Sequence, residues 1–516
     1  MPDGNFQEDH RGTHLRTGVL SSAVWMLGSS YCEMALGLAQ GIFVMRLIGP
    51  VGRGIMRMVD MAHKYLTHSH LGILHGVSKE LPLAIGRADT EDADSIEAVG
   101  ATFVTTTGLL AGLGLFLFGW VSRYGSETKV ALMVGGGLLV TQQVYALYRC
   151  VLRAWGRFPL LAGAAITNTV ARFIFIILGA MLFRVTGAML GWLLASVLAV
   201  LYFRLTSRFV VPISFNWSVA LRLLRTGLPI ALIILSDTLL RTVDALVVGA
   251  CYDVDKALRF GWYTVAMQVA TYLYRIPEAG GFVIMPRILE SYAANGDAAR
   301  VRRQIMLPTI ASATVMPVAA GIAFIMLPPL IRTVIPRFEG AIFAAQVLSL
   351  GSVLLALPIA ANGLLIALNR EFVVVLNKGL GALITGSLAF WQVSVGGSLR
   401  SIAVAACVGY GVAALLSLIQ VLRRYYKSRL DLLTQLALCH IPLAWCVVAL
   451  RVSGLLTRSG SDPLVSDWVR AIVRLLIFVA MMIPVLLYGN AQTGLFREFG
   501  RMARKALRKR KSGIDG

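Results

Sequence analysis

Apolar runs of about 20 residues or more follow one another from residue 18 to residue 489, with short polar breaks between them. A bilayer core about 30 Å thick takes roughly 20 helical residues to cross, so this pattern predicts a bundle of membrane-spanning helices. Fourteen segments fit: 18–47, 52–78, 98–120, 129–150, 158–183, 187–204, 226–250, 258–286, 304–331, 340–368, 372–392, 400–422, 432–452 and 467–489. The second segment is unusual. Its core, GRGIMRMVDMAHKYLTHSHLGILHG (52–76), carries Arg53, Arg57, Asp60, His63, Lys64, His68, His70 and His75. On a helix with about 100° per residue, Arg57, Asp60, Lys64, His68 and His75 fall within an arc of about 80°. Ile55, Met58, Val59, Ala62, Leu66 and Ile73 face the other way, and His63 and His70 fall outside the stripe. A connector has no reason to sort its charges like this, so a membrane helix with one polar wall is expected.

Two later segments repeat the device. In LPIALIILSDTLLRTVDALVVG (228–249), Asp237, Arg241 and Asp244 stand at i, i+4 and i+7, one stripe of a continuous helix. In TYLYRIPEAGG (271–281), Arg275 and Glu278 stand three apart, with Pro277 between them to loosen the helix. Glu33 and Arg172 add single charges to the first and fifth segments. An ionisable group at the middle of a membrane costs roughly 2.5–3.5 kcal/mol on insertion scales. Charges on several separate helices therefore imply a shared hydrated cavity, although Asp237–Arg241 and Arg275–Glu278 are also spaced as internal ion pairs. His68 and His70 do not make a metal site, because alternate residues on a helix point about 200° apart. No metal and no cofactor is expected.

Composition removes the soluble alternatives. Charged residues make up 14% of the 516 and hydrophobic ones 57%, with a mean hydropathy of +0.74; soluble domains carry about 25% charged residues. No connection exceeds about 20 residues, which leaves no room for a soluble catalytic domain. The polar first 15 residues predict no cleaved signal peptide. The net charge of +22, from 48 Lys+Arg against 26 Asp+Glu, does not indicate nucleic acid. The basic residues gather in RCVLRAWGR (149–157), RLTSR (204–208), RRYYKSR (423–429) and the tail REFGRMARKALRKRK, where they suit anionic membrane lipid. With 14 spans and an inside N-terminus, inner connections and tails hold about 29 Lys/Arg and outer ones about 12, a positive-inside bias. Leaving out the second span would move the N-terminus outside and barely change that count. It is therefore the face pattern of the second segment that leads to both termini being expected in the cytoplasm. The six cysteines lie in or beside apolar segments without a CxxC pair and read as small hydrophobes.

Several stretches resemble the polysaccharide flippase branch of the multidrug/oligosaccharidyl-lipid/polysaccharide exporter superfamily. RLIGPVGRG (46–54) is similar to its Arg-apolar-Gly-Pro turn with a Gly opening helix two, and HLGILHGVSKELP (70–82) to the end of helix two. SDTLLRTVDALVVG resembles helix seven, WYTVAMQVATYLYRIPEAGGFVIMPRI (262–288) helix eight, and NGLLIALNREFVVVLNKGLGALI (362–384) the junction of helices ten and eleven. VIPRFEGAIFAA (334–345) departs from the outer Gly-and-Tyr pattern, and helix two is richer in His than the family pattern. The resemblance implies an all-α membrane fold of two pseudo-symmetric six-helix lobes and two trailing helices. The corresponding parts are a cytoplasmic tail (1–17), an N-lobe (18–206), a cytoplasmic linker (207–225), a C-lobe (226–422), two further helices (432–489) and a basic cytoplasmic tail (490–516). The repeated LRTG at 15–18 and 224–227 falls where each lobe begins. In such proteins helices one, two, seven and eight line the central cavity.

The resulting expectation is a flippase, not an enzyme. It would move a polyprenyl-pyrophosphate-linked oligosaccharide across a bacterial cytoplasmic membrane for exopolysaccharide, capsule or O-antigen assembly. Arg57, Lys64, His68, Arg172, Arg241 and Arg275 are the candidate cargo-binding residues, since guanidinium forks match phosphate oxygens in pairs. Glu33, Asp60, Asp237, Asp244 and Glu278 are the candidate ion-pairing or coupling carboxylates. No nucleotide motif is present, so a proton or sodium gradient would drive the cycle. The expected partners are the lipid-linked glycan, membrane lipids and the polymerase or export machinery, with the protein itself a monomer. Two rivals differ in chemistry. An ion-coupled exporter of small molecules would favour an acidic, aromatic-lined cavity. A membrane glycosyltransferase or polymerase would use Asp pairs such as DAD (92–94) or DVD (253–255), but DTEDADSIEAV reads as an acidic helix start and DVD as a short turn.

Overall fold

The computed structural model describes residues 19–207, 214–251, 256–295, 298–426, 428–457 and 464–494. The N-terminal tail with its LRTG copy, residues 208–213 of the linker, the DVD stretch and the basic tail beyond 494 lie outside the described residues. The described secondary structure is helical throughout: α1 (Val19–Leu66), α2 (Ile73–Gly86), α3 (Thr90–Val121), α4 (Ser126–Ala154), α5 (Phe158–Ser207), α6 (Trp217–Leu240), α7 (Val243–Cys251), α8 (Lys256–Asn295), α9 (Ala298–Val334), α10 (Ile342–Ala356), α11 (Ile359–Ala367), α12 (Glu371–Ser394), α13 (Leu399–Tyr425), α14 (Arg429–Leu456) and α15 (Leu464–Thr493), with 3₁₀ turns at Thr67–His70 and Pro336–Ala341.

Eleven helices among the described residues are long and apolar enough to cross a membrane. Two of them are bent: α1 carries the first expected segment and the start of the second, which runs on through the 3₁₀ turn into α2, and α5 carries the fifth and sixth. α1 turns at Gly49, whose φ of 70° favours glycine, and Pro50 then opens the next stretch. α5 bends at Phe183 and Arg184, between the fifth and sixth expected segments. α8 corresponds to the eighth expected segment. The protein is a multi-pass, all-α membrane protein, as the apolar pattern predicts. Its surface is built for lipid: Leu110 is 65% exposed, Val121 76% and Leu182 72%, whereas Asp244, Ser352 and Thr385 are fully enclosed. Water would reverse that distribution.

The chain divides into two compact units, Met1–Leu235 and Ser236–Gly516. In the first, Ile73, Val77 and Leu81 of α2 pack with Ile96 and Val99 of α3, Leu147 and Val151 of α4 and Leu223 of α6. Asp89 caps α3 by accepting from the Asp92 N–H at 3.0 Å, and Asp92 pairs with Arg222 of α6. The DAD stretch is thus a helix start. In the second unit, Ile325 of α9, Cys446 of α14 and Phe478 and Met482 of α15 form one core. Asn377 of α12 and Gln420 of α13 exchange amide hydrogen bonds at 2.7 and 3.2 Å, the kind of polar link that joins helices where lipid supplies no hydrophobic drive.

Candidate functional site

Each unit holds a cluster of charges within its apolar helices. In the first, the polar wall of α1 begins about two turns past Pro50, at Arg57. Arg57 donates to Asp60, and Lys64 reaches the same carboxylate oxygen at 3.6 Å. These residues are neighbours because i, i+3 and i+4 positions share a helix face. Their exposure rises along the wall, from 10% for the Arg57 side chain to 39% for Lys64. Across from it on α5, the Arg172 guanidinium lies 5.2 Å from the Trp192 ring centre, and Trp192 also meets the His63 ring at 6.2 Å. Glu33 is exposed and lies, with Arg149 and Arg172, within electrostatic reach of the Tyr145 hydroxyl.

The off-stripe histidines serve packing. His63 is buried, with Nε2 2.9 Å from the Gly135 carbonyl and Nδ1 3.2 Å from Gln142 Oε1. His70 is buried and accepts from the Gly72 N–H at 3.1 Å. The stripe itself is shorter than the helical arithmetic implies. After Leu66 the chain tightens into the 3₁₀ turn, then passes through left-handed Leu71 and Gly72 before α2 begins. His68 therefore turns back to the Lys64 carbonyl at 3.0 Å, and His75 stacks edge-on with His70 at 5.5 Å. Neither continues the Arg57–Asp60–Lys64 wall.

The second unit corrects the sequence reading in two places. The 226–250 segment is not one helix: α6 ends at Leu240 and α7 starts at Val243, so Asp237, Arg241 and Asp244 do not share a stripe. Asp237 pairs with Arg241, and Lys378 of α12 donates to its other oxygen at 2.7 Å. Asp244 lies beyond the break, fully buried, where it accepts from the Tyr263 hydroxyl at 2.5 Å and from the Ala245 N–H at 2.9 Å. Arg275 and Glu278 also part company. Among the described residues no ion pair joins them; Arg275 is exposed, 6.0 Å from the Tyr272 ring, while Glu278 turns to a cavity.

That cavity, about 240 Å³, is lined by Asp237, Tyr274, Glu278, Asn362, Lys378 and Tyr410 among apolar residues of α10, α11 and α13. The Arg241 guanidinium covers the Tyr274 ring at 4.9 Å. Asn362 Oδ1, a buried acceptor, finds no hydrogen-bond partner among the described residues. Such an oxygen suits a hydroxyl or ammonium donor. Lys378, Tyr274, Asn362 and Tyr410 were not legible as site residues from their types alone. Lys378 did carry a signal: it is a lone cation inside the apolar segment 372–392. Among the described residues no group of His, Cys, Asp and Glu side chains is placed to hold a metal.

Comparison with known proteins places this architecture. The family model described as polysaccharide biosynthesis protein matches residues 84–337. An inward-facing multidrug resistance MATE transporter of the MOP superfamily superposes with a TM-score of 0.63 at 17% identity, over 76% of this chain and 94% of that one. The lipid II flippase MurJ, in an inward closed conformation, gives a TM-score of 0.64 at 14% identity, over 89% of this chain and 98% of that one. A superfamily transporter from Pyrococcus furiosus gives 0.54 at 18% identity, over 78% and 94%. No curated protein sequence matches the chain.

Proposed function

We propose, with the MOP superfamily fold as the premise, that the chain is a flippase for a polyprenyl-pyrophosphate-linked oligosaccharide in polysaccharide assembly. The observation that carries the reading is the pair of cation sets seated beside carboxylates inside apolar helices: Arg57 and Lys64 with Asp60, and Arg241 and Lys378 with Asp237. A pyrophosphate cannot enter hydrocarbon without compensating charge, and guanidinium binds its oxygens two at a time. In the empty protein the aspartates neutralise these cations; when cargo arrives, its phosphates take over the guanidinium and ammonium groups. Glycan hydroxyls suit the Asn362 oxygen and the tyrosines of the second unit's cavity. The match to a polysaccharide biosynthesis family supports a sugar-bearing cargo, and a neighbour in fold that is a lipid II flippase supports a lipid-linked one. Reconstituted protein should move labelled lipid-linked oligosaccharide between leaflets without making new glycosidic bonds. Bond formation, or an unchanged leaflet distribution, would reject the reading.

A second reading, an ion-coupled exporter of organic cations, draws on the acids and aromatic rings of that cavity: Asp237, Glu278, Tyr274 and Tyr410. It predicts gradient-driven uptake of a cationic dye by the same vesicles and no movement of the lipid-linked sugar.

The proposed setting is a bacterial cytoplasmic membrane with both termini inside, and α1 crossing it twice around Gly49. Cysteine labelling at positions 10, 52, 80 and 510 should place 10, 80 and 510 on one side and 52 on the other. Positions 10 and 510 on opposite sides would overturn this topology. For coupling, a carboxylate that takes a proton releases its cation to the cargo. Asp237→Asn or Asp60→Asn should then keep cargo binding but make flipping indifferent to an imposed pH gradient. Unchanged gradient dependence in both variants and in Asp244→Asn would exclude proton coupling through these groups.

A further inference from the structure

Arg474 sits in the apolar run AIVRLLIF (471–478) of α15. Ten residues at about 1.5 Å each put it roughly 15 Å from the start of that helix, deeper than Trp468 at the expected interface. Its surroundings are unlike those of Arg332, which lies in the last turn of α9 and is held by Glu339 and Asp467, each at 2.8 Å. Arg474 has no carboxylate partner among the described residues. Its Nη2 donates to the Leu450 carbonyl of α14 at 2.9 Å, its Cζ lies 5.6 Å from the Phe324 ring centre, and its Nε is buried with no hydrogen-bond partner. The guanidinium lies against Gly454 of α14: a Cβ there would stand 3.1 Å from Nη2, so a side chain at 454 would crowd it.

A ring and one carbonyl do not neutralise a guanidinium in a membrane, so the position calls for an anion. The side chains around it indicate where that anion comes from. Leu455, Leu456, Ile472 and Leu476 are half or more exposed on the same stretch of α14 and α15, which is a surface for acyl chains. Arg451 is exposed one residue from Leu450, and Arg470 precedes Arg474 by one helical turn. We propose that Arg474, with Arg470 one turn before it and Arg451 next to Leu450 on α14, binds the phosphodiester of an anionic phospholipid whose acyl chains lie along α14 and α15. A phosphodiester presents two oxygens to the guanidinium fork, and lipid reaches the site from the bilayer itself. The assignment is independent of what the protein transports.

The test uses the full chain purified in detergent and loaded from mixed micelles of phosphatidylglycerol or phosphatidylcholine, with retained lipid counted by native mass spectrometry. Phosphatidylglycerol should be retained over phosphatidylcholine, and Arg474→Met should lower its retention by about tenfold, the effect of one charge-assisted contact. Gly454→Leu keeps the charge but fills the place where the guanidinium lies, and should lower retention as well. This second variant keeps the proposal testable if Arg474→Met does not fold. Equal retention of the two lipids, wild-type retention by Gly454→Leu, or displacement of the lipid by millimolar inorganic phosphate would overturn the proposal.

Discussion

Arg241→Ala is expected to lower translocation of the lipid-linked glycan by on the order of 100-fold, about 2.7 kcal/mol of lost cargo stabilisation, while the protein still inserts and folds. The separation of the two effects comes from Asp237. Removing one partner of a buried ion pair ordinarily leaves an uncompensated charge at a cost of about 3–5 kcal/mol. Here Lys378 remains on the other carboxylate oxygen at 2.7 Å, so Asp237 keeps a counter-ion. Arg241→Lys should retain part of the activity, because charge survives and the bidentate fork does not. Lys378→Ala should behave like Arg241→Ala for the mirror-image reason. Arg275→Ala should do far less, since that side chain is exposed and 6.0 Å from its nearest ring partner. Vesicle flipping assays on purified variants measure all four. Full activity of Arg241→Ala and Lys378→Ala would make the Asp237 cluster a helix lock with no part in cargo handling.

Gly76→Leu and Gly227→Leu should each prevent accumulation of folded protein. α2 and α6 approach within the first unit until backbone meets backbone: a Cβ at Gly76 would lie 2.2 Å from the Leu223 carbonyl oxygen, and one at Gly227 would lie 2.0 Å from that of Gly72. A flexible side chain can move aside, but a helix backbone moves only with its whole element. Overpacking in a core costs about 1–3 kcal/mol even where side chains alone adjust. Here the shift would also open the Ile73–Val77–Leu223 core. Native protein stabilities are only about 5–15 kcal/mol. Fluorescence-detected size exclusion and thermal melts would register the loss. Gly114→Ala and Gly379→Ala are the controls: nothing lies within 4 Å of a Cβ at either, so both should elute and melt as wild type. A monodisperse, wild-type melt for Gly76→Leu would contradict the close approach.

Class and the bends of α1 and α5 were legible in the sequence because each depends on local or bulk properties. The apolar periods and their lengths specify membrane helices whatever the neighbours are. RLIGPVGRG pointed to a turn by its resemblance to the family's Gly-Pro turn, and α1 does bend at Gly49; DTEDADSIEAV marks a helix start through its cap. The Arg57–Asp60–Lys64 wall was also readable, since all three lie on one unbroken stretch of α1.

What the helical arithmetic could not supply lies beyond each break in a helix. Face assignments propagate at 100° per residue only while the helix continues. The 3₁₀ turn at 67–70 removed His68 and His75 from the wall, and the break at Arg241–Thr242 sent Asp244 to Tyr263 while Asp237 stayed with Arg241. Lys378 is remote in sequence from Asp237 and meets it only because α12 packs on the second unit's other helices. Which charges exist inside the membrane was written in the chain; which of them face each other was decided by packing, because a side chain's partner depends on where another helix brings its own surface.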